Sequence, residues 1–209
     1  MKLYTFPPSP NSLKVMAVIH QLEIDVEIVV VDLTKGESKT PEFMVINPNG
    51  KIPTLQDGEL VIWESQAIML YLAEKFDSPL IPKDVGKRAE MHQWLSWHIA
   101  HFGDAVSGVA WERLAPHFFE GYQADQVALE KSLENLAVYA PILDQRIAKQ
   151  DFVLGEKPSL ADIALAAPLI HKNMAELPLE DYPNILAWYD RVASLPYFAS
   201  AIPQPPVEV

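Results

Sequence analysis

The chain has 209 residues, no cysteine and a formal net charge of −12 at pH 7. Without cysteine it has no disulfide, no thiolate metal site and no thiol nucleophile of its own. Such acidity argues against nucleic acid as a partner of the whole chain. No uncharged apolar run is long enough to span a membrane, and no signal peptide is visible. We therefore expect a cytoplasmic protein without a membrane partner.

Strand and helix patterns alternate over residues 1–76. Strands are predicted over 2–6, 26–31, 54–56 and 60–63, and helices over 10–22, 41–45 and 65–74. The β-branched run 26–31 predicts a strand that is buried on both faces. Asp57 and Gly58 predict a hairpin between the last two strands. This order predicts a thioredoxin-like α/β domain, with helices packed on a mixed sheet.

The rest of the chain contains no convincing strand. Residues 77–86 include two prolines and are predicted to be a linker. Helices are predicted over 87–114, which Pro116 should end, then over 125–149, from 159 onward and over 184–194. We therefore predict a second, all-helical domain over residues 87–209.

One turn, over residues 47–55, organises the first domain. Its Asn-Pro-Asn-Gly sequence is typical of a tight turn, and Pro53 belongs at the start of a strand. A cis bond before Pro53 would turn the backbone of Ile52 outward, where it can pair with an extended ligand. Shortly afterwards Ser65 is predicted to cap a helix whose free N–H groups can bind a carboxylate. Together these features predict a site for a small acidic peptide.

These segments also carry a family resemblance. Residues 47–55 and 64–68 resemble the glutathione-binding half of a cytosolic glutathione transferase. Residues 155–164 resemble the buried capping motif of that family's helical domain, and residues 182–196 resemble its final helix. The resemblance covers nearly the whole chain. It implies glutathione as co-substrate, no metal cofactor, and a homodimer.

A glutathione transferase must stabilise the thiolate of glutathione. A free thiol has a pKa of about 8.5, and lowering it by two requires about 2.7 kcal/mol, which one or two hydrogen bonds to a charged acceptor can supply. The loop after the first strand resembles the theta- and nu-like pattern of the family, in which Ser or Thr, Pro and Asn precede a helix. The resemblance thus assigns the catalytic role to Ser9 first and to Asn11 second. The simpler interpretations are that Ser9 is only a helix cap and Asn11 only a turn residue.

The resemblance also implies two binding surfaces. The predicted glutathione-binding residues are Lys39, Lys51, Ile52, Pro53, Glu64 and Ser65. The predicted site for a hydrophobic second substrate consists of Phe6, Pro7, Trp111, Phe118 and Phe119. For most of these aromatic residues, a role in the core or in a dimer contact is the alternative.

Three functions remain open from the sequence. The first is a glutathione transferase whose bound thiolate attacks a hydrophobic electrophile, a peroxide or a disulfide. The second is a nu-like, glutathione-dependent disulfide reductase that works by thiol–disulfide exchange. The third is a non-catalytic protein with the same fold, either a binding or regulatory module or a carrier of hydrophobic compounds that turns them over poorly.

Overall fold

The computed structural model describes residues 1–203. The described part of the chain divides into two compact units: one contains Met1–Ser78 and residues 195–203, and the other contains Pro79–Ser194. The division falls inside the predicted linker. The helical domain was predicted over 87–209, whereas residues 195–203 belong to the first unit. Residues 204–209 of that prediction lie outside the described residues.

The first unit is built on a four-stranded mixed sheet. Its strands are β1 (Lys2–Thr5), β2 (Glu27–Val30), β3 (Thr54–Asp57) and β4 (Leu60–Trp63), in the order β2-β1-β3-β4. β1 pairs with β2 in parallel and with β3 antiparallel, and β3 and β4 form the predicted antiparallel hairpin. This arrangement confirms the thioredoxin-like prediction.

The prediction that the second strand is buried on both faces was wrong. β2 is one of the two edge strands of the sheet, and Ile28 and Val30 are 42% and 55% exposed. An edge strand has a neighbour on one side only, so its β-branched residues are not covered as those of a central strand are. The central position belongs instead to β1 and β3, where Leu3 and Leu55 are fully buried.

Three helices complete the early part of this unit. They are α1 (Pro10–Leu22), α2 (Pro41–Ile46) and α3 (Ser65–Lys75). α1 and α3 pack against each other, and buried side chains such as Leu13, Ile68 and Met69 form the core between helices and sheet. The starts of α1 and α3 follow β1 and β4 respectively, and they carry most of the predicted site.

The second unit is helical, as predicted. It contains α4 (Val85–Trp97), α5 (Gly103–Phe118), α6 (Gln126–Ile147), α7 (Leu160–Ala166) and α8 (Pro183–Ala193), with a 3₁₀ turn at Ala167–His171. A further short helix, α9 (Pro196–Ala199), belongs to the first unit, where it packs on α1. Within residues 1–203, no helix is both long and apolar enough to cross a membrane.

The predicted single helix over 87–114 is interrupted by a π-helical turn at His98–Phe102. At its end, a Cβ on Gly103 would lie 2.2 Å from the Cε1 atom of His98, so the buried histidine needs glycine there. The prediction that Pro116 ends the helix was also wrong. Pro116 lies in the last turn of α5, where its missing N–H removes only one late hydrogen bond.

A buried carboxylate fixes the start of α7. Asp162 is fully buried, and its two oxygens accept hydrogen bonds from Ser159 N and Oγ, Val153 N and Trp188 Nε1, all between 2.8 and 3.0 Å. Burial raises the pKa of this carboxyl above its usual value, whereas the donors favour its charged form. This is the predicted capping box, with Asp in place of Glu.

Candidate functional site

The loop between β1 and α1 leaves the hydroxyl of Ser9 unused as a cap. Ser9 is the N-cap residue of α1 in an extended conformation, with Pro10 at the first helical position, and its side chain makes no capping hydrogen bond. Its backbone N–H donates to the carbonyl of Phe6 at 2.9 Å. Ser9 is therefore the predicted N-cap of α1 in position, while its hydroxyl makes no capping hydrogen bond; its catalytic role stays a prediction.

Asn11 lies beside two other side chains of the candidate site. Its Oδ1 accepts hydrogen bonds from Lys14 Nζ at 2.9 Å and from Ser65 Oγ at 3.3 Å. Asn11 is exposed and is the second residue of α1, so its interpretation as a turn residue was wrong. The Ser65 contact joins the start of α1 to the start of α3, and the structure thus brings a predicted catalytic residue and a predicted binding residue together.

Sequence reasoning missed Lys14. Its side chain is buried, although lysines almost never are unless paired. Burial lowers the pKa of Lys14 from 10.5 to about 7, while the negative charge of Glu64 opposes this shift. A sequence signal was present, because Lys14 interrupts a run of α1 that is otherwise small or apolar.

The turn at 47–55 is held by a buried asparagine. Asn47 is 1% exposed, and its Nδ2 donates to the carbonyl of Lys51 at 2.7 Å and to Thr54 Oγ1 at 3.0 Å. The peptide bond between Ile52 and Pro53 is cis. Ile52 is partly exposed and precedes β3, so its backbone lies outside the strand ladder. Asn47 was recognised in the sequence only as part of a turn.

The two predicted lysines differ in how they meet this turn. Lys39 Nζ donates to the carbonyl of Asn49 at 3.3 Å, and a Cβ on Gly50 would lie 2.8 Å from the same nitrogen. The ammonium of Lys39 therefore lies directly on the turn. Lys51 is exposed, and its carbonyl is the group that Asn47 binds.

Glu64 adopts a backbone conformation that is rare for any residue other than glycine, with φ 71° and ψ 115°. Such conformations cost about 1–3 kcal/mol and cluster at ligand sites. Glu64 is the N-cap residue of α3 without capping through its side chain. The prediction that Ser65 is the N-cap was therefore wrong: it is the first helical residue, where its N–H is among those that lack a partner in the helix.

In the second unit, Trp111 belongs to a small aromatic group. Its ring contacts those of Phe119 and Tyr122, at 5.3 and 5.7 Å between centroids. Its Nε1 donates to the Tyr122 hydroxyl at 2.8 Å, which in turn donates to the buried Glu112 carboxylate at 3.0 Å. Trp111 is about half exposed, so its ring face, and not its N–H, is available to a ligand.

The other predicted residues of the hydrophobic site are divided between the units. Phe118 is 55% exposed in the second unit, whereas Phe6 and Pro7 precede α1 in the first. Among residues 1–203, no group of three or more His, Asp or Glu side chains is arranged to hold a metal ion.

Comparisons with known proteins decide the family. The model of the glutathione S-transferase N-terminal domain matches residues 1–74, and that of the C-terminal domain matches residues 102–196. The chain belongs to the glutathione S-transferase family. Glutathione S-transferase 3 of Zea mays is 34% identical over 99% of this chain and 96% of its own length.

Solved members of the family have the same fold. Glutathione transferase F7 from Populus trichocarpa superposes with a TM-score of 0.86 at 28% identity, covering 96% of each chain. Glutathione S-transferase I, solved with lactoylglutathione bound, superposes with a TM-score of 0.83 at 26% identity, covering 96% of this chain and 97% of its own. The predicted family and fold are thus confirmed. The theta- or nu-like subtype stays a prediction.

Proposed function

We propose that the chain is a glutathione transferase that binds glutathione on its first unit and holds the cysteine sulfur as a thiolate at Ser9 and Asn11. The thiolate then attacks an electrophile, a peroxide or a disulfide. The observation that carries this proposal is the 3.3 Å contact between Ser65 and Asn11. It places the start of α3, where we propose that a carboxylate binds, beside Asn11, which we propose donates a hydrogen bond to the thiolate. Family membership supports the same conclusion.

The γ-glutamyl end of glutathione, which carries one of its two carboxylates, fits the start of α3. The first N–H groups of a helix lack acceptors within it, and the helix dipole favours an anion there. Glu64 stands next to them in its strained conformation, with its side chain exposed. A carboxylate on these N–H groups would also accept from Ser65 Oγ, while the Glu64 side chain would meet the ammonium group of the same γ-glutamyl end.

The middle of glutathione is a short extended peptide. The partly exposed Ile52, held in place through Asn47 and Lys51, offers backbone groups with which such a peptide can pair. Lys39 and Lys51 provide positive charge near the same turn for the carboxylate of the glycine end.

The thiolate is held by hydrogen bonds and by the positive end of α1. The Ser9 hydroxyl is not used as a cap, and the Asn11 NH₂ group is turned away from its two Oδ1 partners. Each hydrogen bond to a charged acceptor contributes about 1.5–3 kcal/mol, so two are enough to lower the thiol pKa by about two. The chemistry therefore depends on positioning and on stabilisation of the anion.

For the second substrate we propose contacts with Trp111, Phe118 and Phe119 of the second unit, where Trp111 and Phe118 expose aromatic surface. Phe6 and Pro7 of the first unit stay predictions from the sequence.

Isothermal calorimetry with glutathione and, separately, with its disulfide tests the function. We expect the reduced form to bind, and replacement of Glu64 by Ala to weaken that binding strongly while the circular dichroism spectrum stays unchanged. Equal or tighter binding of the disulfide would favour the reductase instead. If neither form binds, the proposed function is wrong and a non-catalytic role replaces it.

A further inference from the structure

We propose that Lys14 is a positioning residue of the thiolate site: it holds the Asn11 side chain so that the NH₂ group faces the sulfur of bound glutathione. The inference rests on the proposed function and adds a residue that the sequence did not single out. It is carried by the 2.9 Å hydrogen bond from Lys14 Nζ to Asn11 Oδ1.

The chemistry of the partners defines the orientation of the amide. The Lys14 amine can donate whether or not it is protonated, and here Nζ donates to Oδ1 of Asn11, so the amide oxygen is the atom that faces Lys14. With Oδ1 directed towards Lys14, the NH₂ group, which lies in the same plane, points away from Lys14, and Asn11 itself is exposed. An asparagine without such a partner could present either its oxygen or its nitrogen to a thiolate, and the oxygen would repel it.

Ser65, the second partner of Asn11, cannot hold the orientation of the amide by itself. Ser65 Oγ has one proton, which it donates to Asn11 Oδ1 over the longer distance of 3.3 Å. If that proton is donated to the ligand carboxylate instead, Oδ1 loses this partner in the loaded site. Lys14 then remains as the donor that keeps the amide from turning over.

Burial makes Lys14 suitable for this role. Lys14 is 6% exposed, so water can reach its contact with Asn11 only from the Asn11 side. Because it belongs to α1, whose apolar face is packed in the core, its position is fixed relative to Asn11 on the preceding turn. The Glu64 charge, which acts on Lys14 from the start of α3, connects it to the carboxylate end of the site.

The test compares Lys14→Met, which keeps the length of the side chain but removes its donors, with Lys14→Arg, which keeps them. The readout is the pKa of the thiol of bound glutathione, followed by thiolate absorbance against pH. We expect Lys14→Met to raise that pKa by about one, a tenfold loss of thiolate, and Lys14→Arg to restore most of the wild-type value. Affinity for S-methylglutathione, which has no ionisable thiol, should change less than about twofold.

Two further variants show whether Lys14 acts through Asn11. In an Asn11→Ala background, Lys14→Met should produce no additional change in the thiol pKa, since the group that it orients is gone. Lys35→Met is the control: it removes an exposed lysine of the same unit, whose partner is Asp32, and should change neither readout.

Different results identify different failures. If wild-type protein does not bind glutathione, the proposed function fails first. If it binds with a lowered thiol pKa, but Lys14→Met leaves that pKa unchanged or shifts it equally without Asn11, the positioning role is wrong. Should Lys14→Met not fold, nitrogen relaxation of the Asn11 side-chain amide decides: an amide that rotates freely in the glutathione complex would overturn the proposal, and a rigid one would support it.

Discussion

The hydroxyl of Ser65 lies 3.3 Å from Oδ1 of Asn11, although 54 positions separate the two residues in the sequence. The contact connects the first residue of α3 with the first turn of α1. A hydroxyl has a single proton, so donation to a ligand carboxylate competes with donation to Asn11. Under the proposed function, a carboxylate bound at the start of α3 would therefore change the surroundings of Asn11.

Replacement of Ser65 by Ala should weaken glutathione binding by about ten- to a hundredfold, because a hydrogen bond to a charged group contributes about 1.5–3 kcal/mol. Calorimetry measures the affinity. Ser132→Ala, which removes a hydroxyl that donates to the Ala128 carbonyl within α6, is the control and should leave the affinity unchanged. An unaltered affinity in Ser65→Ala would show that its side chain does not bind the ligand.

The strained backbone at Glu64 predicts that the glycine variant is more stable than the alanine variant there, the reverse of the usual order. At φ 71°, glycine avoids the steric conflict of a Cβ, so Glu64→Gly should be more stable than Glu64→Ala by about 1 kcal/mol. Urea denaturation measures both. The same pair of substitutions at Glu130, exposed within α6, should show the ordinary order, with alanine more stable by about 1 kcal/mol. The ordinary order at both positions would argue against strain at Glu64.

The buried Lys14 makes stability depend on pH. Its pKa is about 7 in the folded chain and 10.5 normally, so between these values the unfolded chain binds more protons and stability rises with pH. From pH 7 to pH 9, the wild type should gain about 2 kcal/mol relative to Lys14→Met. Denaturation curves of both proteins at the two pH values measure this difference. An equal change in both proteins would mean that Lys14 titrates normally in the folded state.

Asp162→Asn should destabilise the second unit by about 2–4 kcal/mol. Both oxygens of Asp162 accept two hydrogen bonds each, and an amide would direct its NH₂ group at two of these donors. Thermal and chemical denaturation measure the loss. Asp104→Asn, an exposed substitution in α5, should stay within about 0.5 kcal/mol of wild type. A small effect at Asp162 would mean that the buried network tolerates an unpaired donor.

Features that depend on neighbouring residues could be predicted from the sequence. The hairpin after Asp57, the helix that begins at Pro10 and the capping box of Ser159 and Asp162 all follow from short local patterns. The turn before Pro53 was predicted for the same reason.

Features that depend on distant parts of the chain could not be predicted from the sequence. The edge position of β2 follows from the order of the strands in the sheet, and residues 26–31 alone do not reveal that order. The π-helical turn depends on how His98 packs against Gly103. Lys14 was missed because its burial and its interaction with Glu64 arise only once α1 and α3 pack together.

The measurement that tests the central claim most directly is the pKa of the thiol of glutathione bound to the wild-type protein, read from thiolate absorbance against pH. We predict a value about two below the 8.5 of a free thiol, and a rise of about one in Ser9→Ala. A bound thiol that titrates at the value of free glutathione would contradict the claim that this site stabilises a thiolate.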